Sequence, residues 1–352
     1  MIPISVCIIT KNEATKLEKC LKALRPYPFE IVVADTGSTD NSLEIATKYA
    51  DKVVTFEWIN DFSAARNFCA SKASHNLILA MDTDECITEI DMDKLYSLIE
   101  TNPKGVGEIL RMDYFDVDDR RNVQEVRVTR LYNRKFYTFD RPIHENLVPI
   151  GNITYYSYPI PIAADHDGYL GSQEELDQKS RRNIALLEQE LLASPKDPYL
   201  YFQLGQSYLV MRKEEIALSY LRKALEYNPP IESDYTRILV KNYGEILLTM
   251  DLLDEARSVL KFYDSYQDNA DYLCLVGKLF IQLNEPLKAL PEFIKALTAP
   301  KYDSPDCRKE IPSFFIGHIY QCYGQTDIAA QHFRNCGDFP PALERLNLLG
   351  IN

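Results

Sequence analysis

The sequence predicts an α/β domain built on a mostly parallel sheet, followed by an all-α domain of stacked helical repeats. Three observations carry this. Short, nearly continuous apolar runs alternate with amphipathic stretches through the first part of the chain, as strands buried on both faces and joined by crossover helices do. Beyond a long amphipathic stretch at 173–192 there is little strand signal. A set of glycines and alanines then recurs in fixed register. At 352 residues the chain is long enough for two cores.

Taken in order, residues 4–10 (ISVCIIT) read as a strand. Residues 13–24 read as a helix, with Leu17, Cys20, Leu21 and Leu24 on one face. A second strand at 30–35 (EIVVAD) runs into TGSTD, which has turn and helix-capping chemistry. A helix at 41–49, a strand at 52–56, a helix at 61–73 (DFSAARNFCASKA) and a fourth strand at 76–82 (NLILAMD) complete the alternation. From about 105 to 165 the pattern changes to mixed or antiparallel strands and loops, with EVRVTRLYN alternating and TYYSYPIPI rich in Tyr and Pro. The helix at 173–192 is the expected joint between domains.

The second half repeats. Tyr201, Leu204, Gly205, Tyr208, Ala217, Leu221, Ala224 and Pro229 match the tetratricopeptide (TPR) template, a unit of about 34 residues. The relation of Gly205 to Ala217, twelve residues apart, recurs in Gly244 and Ala256, Gly277 and Ala289, and Gly317 and Ala329. Leu260, Phe293 and Phe333 take the aromatic or aliphatic position of later units. Small residues at these sites let paired helices approach closely, so the motif residues are read as core and any function is expected on the concave face. The expected division is a catalytic domain at 1–170, a connecting helix at 171–196 and about four repeats at 197–352.

Composition narrows the function. Hydrophobic residues at 46% and charged residues at 26% describe an ordinary globular protein. A net charge of −13 argues against non-specific attraction to nucleic acid or an anionic membrane. No apolar run approaches the roughly 18 residues of a spanning helix, and MIPISVCIITKNE carries no secretory signature. The eight Cys residues form no CxxC pair and read as reduced thiols, so the cytoplasm is the expected compartment.

Polar residues gather where an open α/β sheet binds ligands, at the carboxyl ends of its strands. Thr10, Asn12 and Glu13 follow the first strand, residues 35–40 end the second, and Asp82-Thr83-Asp84-Glu85 ends the fourth. Two carboxylates at i, i+2 after a buried strand suit a hard divalent cation and a ribose hydroxyl, with Mg²⁺ or Mn²⁺ bridging to a diphosphate. A lone DxD would equally cap a helix or line a solvated turn. Its place after the fourth strand favours the site. There is no GxxxxGK[ST], GxGxxG after a strand, HExxH or GxSxG.

The run VCIITKNE…EIVVADTGSTD…DFSAARN…LILAMDTDE resembles glycosyltransferase family 2, whose fold is the Rossmann-like GT-A domain. It looks closest to the branch with C-terminal TPR repeats, which includes enzymes that glucosylate cysteine or serine of sublancin-like peptides and is related to lipooligosaccharide glucosyltransferases. The resemblance implies that Thr10, Glu13 and Asp35 line the nucleotide pocket, with Asp35 accepting from a uracil nitrogen; Asp35 as a strand-end cap is the alternative. Arg66 and Asn67 would lie beside the base or diphosphate, unless Arg66 is a structural ion pair. Asp82, with Thr83, would face the ribose, and Asp84 would be the principal metal ligand.

RPIHENL (141–147) resembles the family's G-x-[IV]-HE segment with Arg-Pro in place of the glycine region, and DHDGY (165–169) resembles its H-x-GY segment. His166 fits the order and context of a late metal ligand. Glu145 is read as the general base of an inverting transfer, with Asp140 and Asp113 as alternatives. The basic stretch Arg120, Arg121, Arg127, Arg130, Arg134 and Lys135 is read either as flanking the diphosphate or as a solvated strand face. Lys179, Arg182 and Asn183 match a K-x-x-RN feature of the same branch. The expected activity is metal-dependent transfer of a hexose from a UDP-sugar to a peptide or protein side chain, through a TPR concave face. A lipid-linked or lipooligosaccharide acceptor, and an inactive domain serving as a peptide-binding scaffold, are the competing readings. No nucleic acid or transmembrane segment is expected, and a homodimer is compatible with the sequence.

Overall fold

A computed structural model describes residues 2–117, 120–168, 170 and 172–350; of 115–117 and 120–122 it describes the backbone only. The chain divides into two compact units, Met1–Leu186 and Leu187–Asn352.

The first unit runs β1 (Ile4–Thr10), α1 (Ala14–Leu24), β2 (Glu30–Asp35), α2 (Ser42–Tyr49), β3 (Lys52–Thr55), α3 (Phe62–Lys72), β4 (Leu77–Met81), β5 (Glu85–Ile90) and α4 (Met92–Thr101). It continues with β6 (Val106–Val117), β7 (Arg120–Asn133), β8 (Tyr137–Asp140), β9 (Asn146–Pro149) and β10 (Ser157–His166), and α5 (Gln173–Ala193) leads out of it. The main sheet has the order β3-β2-β1-β4-β7-β6-β10-β5. Its first four strands are mutually parallel. β7 is antiparallel to β4 and β6, β10 parallel to β6, and β5 antiparallel to β10. The mostly parallel α/β fold and the change of character after residue 105 are both present.

β1 is apolar along its length because both its faces are covered. Ile4, Val6 and Ile8 pack with Leu17, Leu21 and Leu24 of α1, while Cys7 packs on the other face with Cys69 and Ala70 of α3. Each fully buried aliphatic side chain contributes about 1.5–3 kcal/mol. The hairpin β8–β9 brings Tyr137, Phe139 and Leu147 to the α3 side.

In the second unit, α6 (Pro198–Val210) pairs with α7 (Glu214–Glu226), α11 (Ala270–Gln282) with α12 (Pro286–Ala296), and α13 (Glu310–Cys322) with α14 (Thr326–Asn335), and α15 (Pro340–Leu348) closes the array. A Cβ on Gly277 would stand 2.6 Å from the Phe293 ring, so the paired helices meet at a distance only glycine allows. Repeat two departs from the expected pattern. Its first helix, α8 (Asp234–Thr249), is followed by α9 (Leu253–Ala256), a 3₁₀ segment (Arg257–Phe262) and α10 (Tyr263–Tyr266). Three residues per turn in the 3₁₀ segment rotate the buried position, so Val259 is buried and Leu260 only partly so. The space beside Gly244 is filled by Leu275 of α11 instead.

Candidate active site

The polar residues at the carboxyl ends of the parallel strands are tied to one another. Asn12, at φ 54°, accepts from the Thr39 N–H at 2.7 Å, and its own N–H donates to Ser38 Oγ at 3.0 Å. The Glu13 N–H donates to Ser42 Oγ, and the Ala14 N–H to Asp40. The loops after β1 and β2 thus lock together at the start of α1. Asp35 is buried; Oδ2 accepts from the N–H groups of Gly37 and Ser38 at 3.1 and 3.0 Å. Among the described residues Asp35 Oδ1 and Thr10 Oγ1 find no hydrogen-bond partner, though both are buried, a costly state for isolated polar atoms.

Under the DTDE turn lies a chain of alternating charges. Arg66 donates from Nε to Glu145 at 2.5 Å and from Nη2 to Asp82 Oδ1 at 2.6 Å. Asp82 Oδ2 accepts from Arg130 at 2.6 Å, and Arg130 also pairs with Glu85. Glu85, fully buried, accepts from Arg111 at 3.1 Å, and Arg111 grips Asp113 through two hydrogen bonds of 2.6 and 2.9 Å. Burial alone would raise the Asp82 carboxyl, but Arg66, Arg130 and Arg111 outweigh it and hold it well below the usual carboxylate range.

The chain ends at His166. Asp113 of β6 lies opposite His166 of β10 in the sheet, and the two side chains meet at 2.9 Å through Nδ1. Burial would raise the Asp113 carboxyl; hydrogen bonds from His166 and Arg111 bring it below its ordinary value. The other ring nitrogen, Nε2, lies 3.7 Å from Asp84 Oδ1. A Cβ on Gly168 would stand 2.6 Å from Asp84 Oδ2 and closer still to His166 Nε2. Lys179 of α5 places Nζ 3.7 Å from Asp84 Oδ2.

These groups open on a cleft of about 310 Å³. Of the residues expected from the sequence, Thr10, Glu13, Arg66, Asp82, Thr83, Asp84, Glu145 and His166 line it. Asp35 does not, although its neighbour Thr36 does. Asn67 is not brought there either: its amide donates to the Phe139 carbonyl at 2.9 Å and accepts from the Phe139 N–H at 3.0 Å, which anchors α3 to β8. The basic stretch divides. Arg130 lies under the DTDE turn, Arg134 caps the end of α3 through the carbonyls of Ala70 and Ala73, and the side chains of Arg120 and Arg121 lie outside the described residues, as does Tyr169. Arg127 lines a different groove, about 470 Å³, between α4 and β10, together with Glu89, Asp91 and Lys94.

Trp58, Phe62, Lys179, Arg182 and Asn183 also line the cleft. Trp58 meets Phe62 edge-on at 4.8 Å. The signal for Lys179, Arg182 and Asn183 was present in the K-x-x-RN spacing, which puts all three on one helical face; nothing in the local pattern singled out Trp58.

The first unit has the Rossmann-like GT-A fold. Residues 5–157 match the glycosyl transferase family 2 domain, and residues 198–230 match the tetratricopeptide repeat. The chain is therefore a glycosyltransferase, with a family 2 domain joined to tetratricopeptide repeats. It is similar to the SPbeta prophage-derived glycosyltransferase SunS of Bacillus subtilis, with 26% identity over 327 residues, 86% of this chain and 73% of that protein. It is also similar to a TPR repeat-containing protein of Synechococcus elongatus, with 30% identity over 243 residues, 65% of this chain and 58% of that protein. Among solved structures it is similar to MamA, at 19% identity and a TM-score of 0.39, over 52% of this chain and 98% of that one. Among the described residues no helix is long and apolar enough to cross a membrane.

Proposed function

We propose that this glycosyltransferase is an inverting, divalent-metal-dependent enzyme of the cytoplasm that moves a hexose from a UDP-sugar to a peptide or protein side chain. The observation that carries the reading is the Asp113–His166–Asp84 array beside Gly168. A carboxylate behind one imidazole nitrogen, a second carboxylate before the other, and a glycine where any Cβ would crowd both suit a cation site. Among the described residues no three His, Cys, Asp or Glu side chains converge as a complete cage. Two protein ligands, with phosphate oxygens and water for the rest, is the way Mg²⁺ is commonly held with a nucleotide. Bound there, Mg²⁺ or Mn²⁺ would neutralise charge on the departing diphosphate.

The residues of the chain do the remaining work. Asp35 Oδ1 and Thr10 Oγ1 are buried polar atoms suited to a nucleobase edge. Asp82 engages both carboxylate oxygens with Arg66 and Arg130, so its part is to hold Arg66 in place. Arg66 in turn fixes Glu145 through Oε1. Glu145 takes the proton of the acceptor hydroxyl or thiol as that atom bonds to the anomeric carbon from behind. The bond from that carbon to the diphosphate oxygen breaks, and UDP leaves with the electron pair. The resemblance to the sublancin-type branch and the tetratricopeptide array support a peptide acceptor.

The test is a pair of variants. Asp84→Ala should lose metal-dependent turnover while keeping its fold, and Glu145→Gln should keep UDP-sugar binding while transfer falls about 10²–10⁴-fold. Full activity in the first refutes the metal assignment, and surviving transfer in the second places the base elsewhere.

A further inference from the structure

Four carboxylates (Glu13, Asp82, Asp84 and Glu145) and four cations (Lys11, Arg66, Lys179 and Arg182) line the cleft. A nucleoside diphosphate brings two or three further negative charges, so the question is which cations remain to meet it. Arg66 is paired through Nε with Glu145 and through Nη2 with Asp82, and its Nη1 is buried without a hydrogen-bond partner among the described residues. Lys11 follows β1, on the side of Thr10 and Glu13. Lys179 and Arg182 stand one turn apart on α5, beside the Asp84–His166 pair.

Both are held for such a task. Lys179 donates to the Gly168 carbonyl at 3.3 Å and lies 3.7 Å from Asp84, so its ammonium sits at the edge of the cation site. The Arg182 guanidinium rests over the Phe62 ring, 5.3 Å from its centroid. Phe62 is itself fixed by a 2.8 Å hydrogen bond from its N–H to the Pro142 carbonyl and by its contact with Trp58. Among the described residues Arg182 makes only long hydrogen bonds, 3.3 and 3.4 Å, to Asn183 Oδ1. Its planar donors are thus oriented by stacking, with hydrogen-bonding capacity left for an oxyanion.

We propose that Lys179 and Arg182 hold the diphosphate of the donor, balancing the charge that grows on it as the sugar departs. The inference rests on the nucleotide-sugar reading of the cleft and adds which side chains meet the phosphates. An ammonium beside Asp84 and a guanidinium one turn along α5 would contact the diphosphate together, whereas Thr10 and Asp35 lie at the ends of other strands and would meet the nucleoside.

The experiment compares UDP with uridine, which lacks phosphates, by titration of the full chain in Mg²⁺ buffer. Wild type, Lys179→Met and Arg182→Met are measured; Met keeps an apolar stem where each side chain packs. Each variant should bind UDP about tenfold or more weakly, the scale of a lost hydrogen bond to a charged group, with uridine affinity within about twofold of wild type. Raising the salt concentration should weaken UDP binding to wild type more steeply than to either variant. UDP affinity unchanged in both variants overturns the proposal, and so does an equal loss for UDP and uridine. A wild type that binds UDP no better than uridine overturns instead the donor reading beneath it.

Discussion

Replacing Gly168 with alanine is the smallest change that tests the cation site. A cation bonded at about 2.1 Å to both Asp84 and His166 tolerates at most about 4.2 Å between the two ligand atoms, where all three fall in line. In the structure they are 3.7 Å apart. The alanine Cβ would stand 2.6 Å from Asp84 Oδ2, where ordinary contact begins at 3.4 Å, and nearer still to His166 Nε2. Both side chains must therefore shift from the positions in which they face each other, which disturbs a cation held between them. The expected result is roughly a hundredfold rise in the Mn²⁺ concentration giving half-maximal transfer, or about 2.7 kcal/mol. The same shift should appear in calorimetric titration of Mn²⁺ into the UDP-bound protein. Gly168 lies outside the left-handed region, so alanine suits its backbone and thermal stability without metal should stay near wild type. Wild-type Mn²⁺ affinity in Gly168→Ala would refute a cation held between Asp84 and His166.

Two further outcomes concern stability. Burial alone would raise the Glu30 carboxyl, but hydrogen bonds from Ser5 at 2.5 Å, Lys52 at 2.9 Å and Ser74 at 2.7 Å bring it from 4.5 down to about 2. A depressed carboxyl stabilises the fold above its unfolded value and loses that contribution as pH falls through the folded one. Glu30→Gln should therefore cost about 2 kcal/mol at pH 6, with the difference from wild type closing between about pH 4.5 and pH 2 in urea titrations; a gap constant across that range counts against it. Phe293, fully buried against Gly277 and stacked on Phe315 at 4.9 Å, should cost about 3–5 kcal/mol on truncation to alanine, read by chemical denaturation.

Most of the architecture was legible because two periodicities dominate the sequence. β1, β2 and β4 are buried on both faces, so their apolar runs are continuous, and all three lie within one residue of the expected bounds. The glycine–alanine register located the repeats for the same reason: close packing leaves one residue type. What escaped was decided at a distance. The 3₁₀ turn in repeat two has no local breaker in RSVLKF. Arg130 looks like any strand arginine until the sheet sets β7 beside β4, within reach of Asp82 and Glu85. Asn67 carries the residue type of a nucleotide contact, yet the hairpin β8–β9 supplies the backbone partners that take both ends of its amide.

The substitution of Leu275 for an in-repeat partner at Gly244 bears on how the array comes apart. In a solenoid whose units each close on themselves, terminal units fray singly, and the opening free energy rises in even steps toward the middle. Here the second unit borrows the residue that completes it from the third, so neither is whole when the other opens. Amide exchange should report repeats two and three as one cooperative block, with a single opening energy shared by α8 and α11.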